Sequence, residues 1–179
     1  MRVSYVGELG WELHLASADL ATVYHALWEV GSDLGLIDFG SYALNSMRLE
    51  KGYHAWGADF GTEYTLFDAG LQGFAKLDKV EFTGRAAVLE QQQQTAEWQF
   101  AGFEILEGDA DALASDPILL GDECVGYVSS GGYGFRINKR LALGYVRDDI
   151  NTQSAEFTIK ILGKLCQAKV CELPYYKAK

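Results

Sequence analysis

The hydrophobic pattern changes its period near residue 95, and this change restricts the chain to a mixed helix and strand architecture. After Glu97 the apolar residues fall in short or alternating runs separated by turn residues, as in β-strands. The runs span 98–106, 118–120, 123–129, 141–146, 156–161 and 165–173. They predict an antiparallel sheet or small β-barrel over residues 96–179.

Two glycine-containing stretches in this half predict hairpin turns. Phe157, Ile159 and Ile161 alternate with polar residues before Gly163, and the alternation resumes after it, as in a hairpin. The stretch 129–134 is rich in glycine but lacks the Gly-Lys-Ser/Thr ending of a phosphate-binding loop, and no helical pattern follows it. We therefore expect a second hairpin turn there.

Residues 1–95 combine helical and strand patterns, which predicts an α+β domain. The alternation over 11–15 predicts a strand that runs into a helix over 20–31. A second helix is expected from Asp38, as N-cap, to Lys51, and a third opens at 83–85. The domain boundary is placed near residue 95.

Charge and composition narrow the classes of partner. The formal charge of −10 and the scattered Lys and Arg residues argue against nucleic acid. The apolar runs are far shorter than the ~20 residues that cross a bilayer. Cys124, Cys166 and Cys171 form no C-x-x-C pair, so we expect buried, reduced thiols.

Two charged residues stand out by position. Glu12 shares a strand face with His14 and points either to solvent, which the pattern favours, or into a polar cavity. Arg48 lies on one helix stripe with Leu44 and Met47, so it needs an anionic partner, and the pattern favours a structural ion pair. No spacing of histidines or carboxylates indicates a metal site, and there is no nucleophile elbow.

Several ordered segments together resemble the glycine-cleavage T-protein (aminomethyltransferase) superfamily, most closely its dimethylglycine and sarcosine dehydrogenase branch. These segments are SYVGELGWE at 4–12, MRLEKGY at 47–53, WG at 56–57 and FTGR at 82–85. VGYVSSG at 125–131 and LPYY at 173–176 look like the family's C-terminal barrel, so the resemblance covers essentially the whole chain.

The resemblance implies a module that binds tetrahydrofolate and captures a one-carbon unit from a small amine-derived donor, with FAD confined to a separate region. Tyr5 and Glu12 match residues that line the folate pocket, where a carboxylate can accept two adjacent N–H groups. Arg48 and Tyr53 match an arginine and an aromatic residue of that pocket, and Lys177 is a weaker match to a basic residue. The resemblance thus favours a pocket role for Arg48 over the ion pair.

The resemblance also implies a family segment before Ser4 that carries the aspartate assigned to catalysis. No catalytic residue is therefore assigned here, and we expect an incomplete folate-binding domain. A strand starting at Met1 would leave backbone groups unpaired, so a partner chain or a homodimer is expected to cover it.

The leading hypothesis is the C-terminal part of a tetrahydrofolate-binding one-carbon-transfer module. The alternative is a non-catalytic folate-binding or assembly module without turnover. The expected compartment is the cytoplasm, or the mitochondrial matrix if the source is eukaryotic.

Overall fold

The structure, a computed structural model, describes residues 1–177, in which the helices precede the strands along the chain. The helices are α1 (Leu20–Gly31), α2 (Ser41–Glu50) and α3 (Arg85–Gln91). The strands are β1 (Trp98–Ile105), β2 (Pro117–Leu120), β3 (Glu123–Gly134), β4 (Lys139–Arg147), β5 (Phe157–Ile161) and β6 (Lys164–Cys171). Short 3-10 turns lie at Ser17–Asp19, Ser32–Leu34 and Gln72–Phe74. The predicted α+β class is confirmed.

The strands form a closed antiparallel barrel in the order β1-β4-β3-β2-β5-β6. Closure comes from the pairing of β1 with β6, which runs from Gly102 opposite Cys171 to Ile105 opposite Ala168. Closure gives every strand a hydrogen-bonded neighbour on both sides, so the barrel has no free edge strand. The predicted barrel is confirmed.

Alternate residues of the strands fill the interior of the barrel. Phe103 and Phe157 meet edge to face at its centre, with ring centroids 5.6 Å apart. The other large buried residues of this cluster are Ile118, Val125, Val128, Val146, Ile159 and Ile161. Burial of these side chains supplies the main stabilising term for the barrel.

A second, smaller core lies between α2 and the outer wall of the barrel. Leu49 of α2 packs there against Leu141 and Leu143 of β4, and all three are fully buried. β4 is therefore buried on both faces, because Ala142 and Val146 point into the barrel. This explains why the β4 sequence is continuously apolar and does not alternate.

The glycine-rich stretch 129–134 is not a turn, as the sequence suggested, but continues β3 to Gly134. A Cβ atom on Gly131 would lie 2.1 Å from the Ala112 carbonyl oxygen, so glycine allows a close approach of two chain segments there. The predicted turn before β6 is confirmed at Leu162 and Gly163, whose φ angles are +47° and +82°. Two residues with positive φ suit a two-residue hairpin turn.

Two local predictions for residues 1–95 were wrong. Residues 11–15 form no strand, because no neighbouring strand among residues 1–177 pairs with them; Glu12 N–H bonds only the Met1 carbonyl, at 2.9 Å. The second helix begins at Ser41 and not after Asp38. The Asp38 carboxylate accepts a hydrogen bond from the Tyr24 hydroxyl at 2.7 Å, and Gly40 takes the N-cap position.

The cysteines are free, but only Cys166 is buried. Cys124 is exposed and Cys171 is half-buried, so the expectation of three buried thiols was wrong.

Among the described residues, no helix combines the length and apolar composition needed to cross a bilayer. The domain boundary near residue 95 stays a prediction.

Candidate functional site

Arg48 lies near the C-terminal end of α2, where the helix packs on β3 and β4, and its side chain is buried, with 4% of the residue exposed. Its five N–H groups are all used within the chain. Nε and Nη2 donate to Asn45 Oδ1 at 2.9 and 2.8 Å, and Nη2 also donates to Ser130 Oγ at 2.9 Å. Nη1 donates to the Tyr53 carbonyl at 3.1 Å and to Asp59 Oδ2 at 2.5 Å.

Asp59 is the anionic partner that the pattern around Arg48 required. It is fully buried, and its Oδ2 also accepts the Ala55 N–H at 2.8 Å. Its Oδ1 accepts the Ser129 hydroxyl at 2.6 Å. The Arg48–Asp59 pair therefore connects α2, the loop 53–59 and β3 in one hydrogen-bonded cluster.

A β-bulge brings two consecutive serines to this cluster. Neighbouring residues of a regular strand point to opposite faces. In β3, however, Val128 pairs with Gly144 and Ser130 pairs with Leu143, so Ser129 is an extra residue. The bulge turns both hydroxyls toward the same side, one to Asp59 and one to Arg48.

Aromatic residues gather beside the Arg48–Asp59 cluster. Tyr5 stacks on Tyr53 with ring centroids 6.2 Å apart, and its hydroxyl donates to the His54 carbonyl at 2.8 Å. His54 stacks on Phe100 of β1 at 4.0 Å. Its Nε2 lies 2.9 Å from the Ala69 carbonyl and so carries the hydrogen. Tyr5 and Tyr53 are each 38% exposed, which leaves part of both rings accessible.

Burial dominates the electrostatics of these rings. Burial raises the pKa of Tyr5, while the nearby Arg48 charge lowers it and Asp59 raises it further. Burial lowers the pKa of His54, and its hydrogen bond to Ala69 opposes this shift. Both groups are therefore neutral at physiological pH, and they serve as hydrogen-bond donors and as packing surfaces.

The predicted site residues Tyr5, Arg48 and Tyr53 are brought together, but Glu12 and Lys177 are not in contact with them among residues 1–177. The Glu12 carboxylate lies 3.1 Å from His14 Nε2, and its side chain is 56% exposed. Lys177 Nζ lies 3.7 Å from the Glu172 carboxylate, with both side chains mainly in solvent. The binding roles of all five residues stay predictions.

Arg48 forms the structural ion pair that the pattern alone favoured. It has no free N–H group, so a direct contact with a ligand would require one of its present bonds to be exchanged. Within residues 1–177 no cluster of three or more His, Cys, Asp and Glu side chains could hold a metal ion.

Sequence analysis missed Asp59, Asn45, Ser129 and Ser130. Asn45 could have been found, because it lies one helical turn before Arg48 on the same face. Ser130 is 82 residues from Arg48, and only the packing of α2 on the barrel brings the two together.

Two family models match the chain. The model described as the GCVT N-terminal domain matches residues 1–79. The model described as the glycine cleavage T-protein C-terminal barrel domain matches residues 99–177.

Curated relatives match almost the whole chain, but the chain spans only part of them. It is 34% identical to mouse mitochondrial dimethylglycine dehydrogenase over 97% of its length and 20% of that protein. It is 35% identical to an aminomethyltransferase of Halothermothrix orenii, over 97% of the chain and 48% of that protein. Among solved structures, the glycine cleavage system aminomethyltransferase T from Bartonella henselae superposes with a TM-score of 0.87 at 27% identity, over 98% of the chain and 48% of that structure.

Proposed function

The chain belongs to the glycine cleavage T-protein family of aminomethyltransferases and dimethylglycine dehydrogenase-like proteins, and on this premise we propose that it binds tetrahydrofolate within a one-carbon-transfer module. Members of this family bind tetrahydrofolate and use an aminomethyl donor. The proposed donor of the one-carbon unit is an N-methyl or aminomethyl amine. FAD chemistry is assigned to a separate region and not to these residues.

The observation that carries the proposal is the aromatic surface of Tyr5 and Tyr53 on a rigid support. The Arg48 side chain bonds the Tyr53 carbonyl at 3.1 Å, and the Asp59 carboxylate bonds the Ala55 N–H at 2.8 Å. Both bonds fix the loop 53–59, so the ring of Tyr53 is held before a ligand arrives. Preorganisation of this kind reduces the entropic cost of binding.

The residues fit a folate in part. Tyr5 and Tyr53, each 38% exposed, suit a planar heteroaromatic ring, because aromatic rings stack in offset geometry. The Glu12 carboxylate is exposed, and exchange of its 3.1 Å contact with His14 would let both oxygens accept two adjacent N–H groups. Arg48 does not fit as a direct ligand, since its donors are all used, and we assign it the positioning of Tyr53.

These residues hold and orient the ligand. Tetrahydrofolate, when bound, supplies the nitrogen nucleophile that accepts the one-carbon unit. Tyr5 and Tyr53 restrict the plane of the heteroaromatic ring of the folate. Glu12 selects the edge of that ring that carries N–H donors. Restricting the orientation of two reactants can supply ~7–11 kcal/mol of a barrier. The proton-transfer step is not assigned to any residue of this chain.

The test is a calorimetric titration of the chain with 5-formyltetrahydrofolate. We expect saturable binding that Glu12→Gln weakens by about tenfold to over a hundredfold, the loss of about 1.5–3 kcal/mol for a charge-assisted hydrogen bond. Tyr53→Ala should weaken binding as well. Glu123→Gln, which changes an exposed carboxylate at the start of β3, is the matched control and should leave affinity unchanged. Unchanged affinity in Glu12→Gln would remove Glu12 from the site.

A second candidate, a non-catalytic folate-binding or assembly module, is favoured by α1. Leu20, Tyr24 and Leu27 form one apolar stripe of this helix, and they are 51%, 47% and 47% exposed. Among the helices, strands and 3-10 turns of residues 1–177, α1 packs mainly on the two 3-10 turns that flank it, and the Tyr24 hydroxyl bonds Asp38 in the loop that follows. Large exposed apolar surfaces mark interaction sites, so the stripe supports a partner chain or a second copy.

The two candidates differ in what restores turnover. Adding the further family sequence of the aminomethyltransferases, in cis or as a second polypeptide, should produce one-carbon transfer under the first candidate. Under the second it should produce a complex without transfer. Light scattering before and after addition reports whether a homodimer or a heteromeric complex forms. The proposed compartment is the cytoplasm or the mitochondrial matrix.

A further inference from the structure

A groove beside β5 and β6 lies on the other side of the barrel from the Arg48–Asp59 cluster. Its cavity volume is about 900 Å³, and it is lined by the start of β5, the loop before it and the second half of β6. In the six-strand order these strands stand opposite β4 and β3, against which α2 packs. A volume of this size falls within the ~300–1,000 Å³ of small-molecule sites.

One wall of the groove is held by a hydrogen-bonded clamp. The Gln99 side chain of β1 donates from Nε2 to the carbonyls of Arg147 at 3.0 Å and Ile150 at 2.8 Å. Its Oε1 accepts the Thr152 hydroxyl at 3.5 Å. The loop that leads into the groove wall is therefore fixed to the barrel.

Two opposite charges face the groove side by side. Phe157 of β5 is paired with Ala168 of β6, and both are buried. Lys169, the next residue of β6, therefore points outward, and Glu156, which directly precedes β5, is exposed; both line the groove. Within residues 1–177 neither of them forms an ion pair. Glu104 of β1 is the residue opposite Lys169, but its carboxylate accepts a hydrogen bond from Lys139 Nζ at 2.7 Å instead.

A third polar group of the groove also lacks a partner. Thr158 lines the groove, and its hydroxyl is shielded from solvent without a hydrogen bond among residues 1–177. Buried hydroxyls are nearly always bonded, so an orphan needs an explanation. Rotation about its Cα–Cβ bond exchanges the hydroxyl with the methyl group and turns it toward a ligand in the groove.

The groove has an apolar side as well. Leu106, which is 51% exposed, lines it, and Ala155 and Val170 line it from the barrel side, where they pack against the interior cluster. A purely anionic ligand would be repelled by Glu156, and a purely cationic one by Lys169. A zwitterion with an apolar extension satisfies both charges and covers the apolar side.

We propose that this groove binds a free α-amino acid with an apolar side chain. Lys169 binds the carboxylate of the ligand, Glu156 binds its ammonium group, and the Thr158 hydroxyl donates to the carboxylate. The side chain of the ligand lies on Leu106, which is 51% exposed. This site is independent of the proposed folate site, since it uses none of the same residues.

The test is a calorimetric titration of the full chain with phenylalanine, extended to about 10 mM so that a millimolar Kd is measured. We expect saturable binding. Two analogues each remove one charge: 3-phenylpropionate lacks the ammonium group, and 2-phenylethylamine lacks the carboxylate. Each should bind at least about tenfold more weakly than phenylalanine, as should glycine, which lacks the side chain.

Variants locate the site. Lys169→Gln, Glu156→Gln and Thr158→Val should each weaken phenylalanine binding by about tenfold, the effect of one lost polar contact. Lys160→Gln is the matched control, because Lys160 lies on the exposed face of β5 outside the groove. Circular dichroism checks that each variant is folded. Absence of saturable binding by the folded chain, equal affinity in all variants, or equal binding of the single-charge analogues would overturn the proposal.

Discussion

Removal of the Asp59 carboxylate is the perturbation whose cost the structure defines best. Asp59 is fully buried, and Arg48 is 4% exposed. In Asp59→Ala two donors, Arg48 Nη1 and the Ala55 N–H, lose the Asp59 acceptor, and the Ser129 hydroxyl keeps only the Leu143 carbonyl at 3.2 Å. Each buried donor left without a partner costs about 1–3 kcal/mol. We expect the free energy of unfolding to fall by about 3–5 kcal/mol, the range for a buried ion pair that loses one partner.

Urea unfolding followed by circular dichroism measures this loss, and a double-mutant cycle isolates the ion pair. In Arg48→Met/Asp59→Ala no buried charge remains unpaired, so the loss should be smaller than the sum of the single losses by about 1–3 kcal/mol. Glu123→Gln breaks the exposed pair with Arg147 and should cost less than about 1 kcal/mol. A loss below about 1 kcal/mol in Asp59→Ala, or an additive cycle, would refute the reasoning.

Three further changes test other parts of the structure. Gly131→Ala should lower the free energy of unfolding by about 1–3 kcal/mol, because its Cβ would lie 2.1 Å from the Ala112 carbonyl oxygen. Gly132→Ala is the control and should be tolerated, because the nearest atom to its Cβ would be 3.4 Å away. Equal losses of the two variants in urea unfolding would contradict the packing argument. Burial lowers the pKa of His54, so the unfolded chain binds the proton more tightly, and stability should fall as the pH drops through about 6.5. His54→Gln should flatten this profile between about pH 7 and 5, and superimposable profiles would disprove the role of His54. Burial alone would raise the pKa of Asp68, but hydrogen bonds led by those from Thr65 lower it overall, so its stabilisation is present at neutral pH and lost in acid. The deficit of Asp68→Asn in urea unfolding should therefore shrink as the pH falls below about 4, and a constant deficit would count against these bonds.

Local patterns in the sequence were sufficient for most of the barrel. The alternation over 157–161 and the turn at Gly163 predicted the β5–β6 hairpin, because the two-residue period and the turn geometry act over a few neighbouring residues. The same logic failed for 11–15, where the alternation is present but no strand among residues 1–177 pairs with it. It failed again for 129–134, where glycines serve close packing against Ala112 and not a turn.

The candidate site shows the same division between what local sequence predicts and what tertiary packing decides. The sequence by itself determined that Arg48, on an apolar helix stripe, needs an anion, since a buried guanidinium without one is strongly unfavourable. Only the tertiary structure decided that the anion is Asp59 and that Ser129 and Ser130 complete the cluster. The reason is physical: backbone preferences act over a few residues, whereas this cluster depends on barrel closure, a bulge in β3 and the docking of α2, which bring together groups up to 82 residues apart.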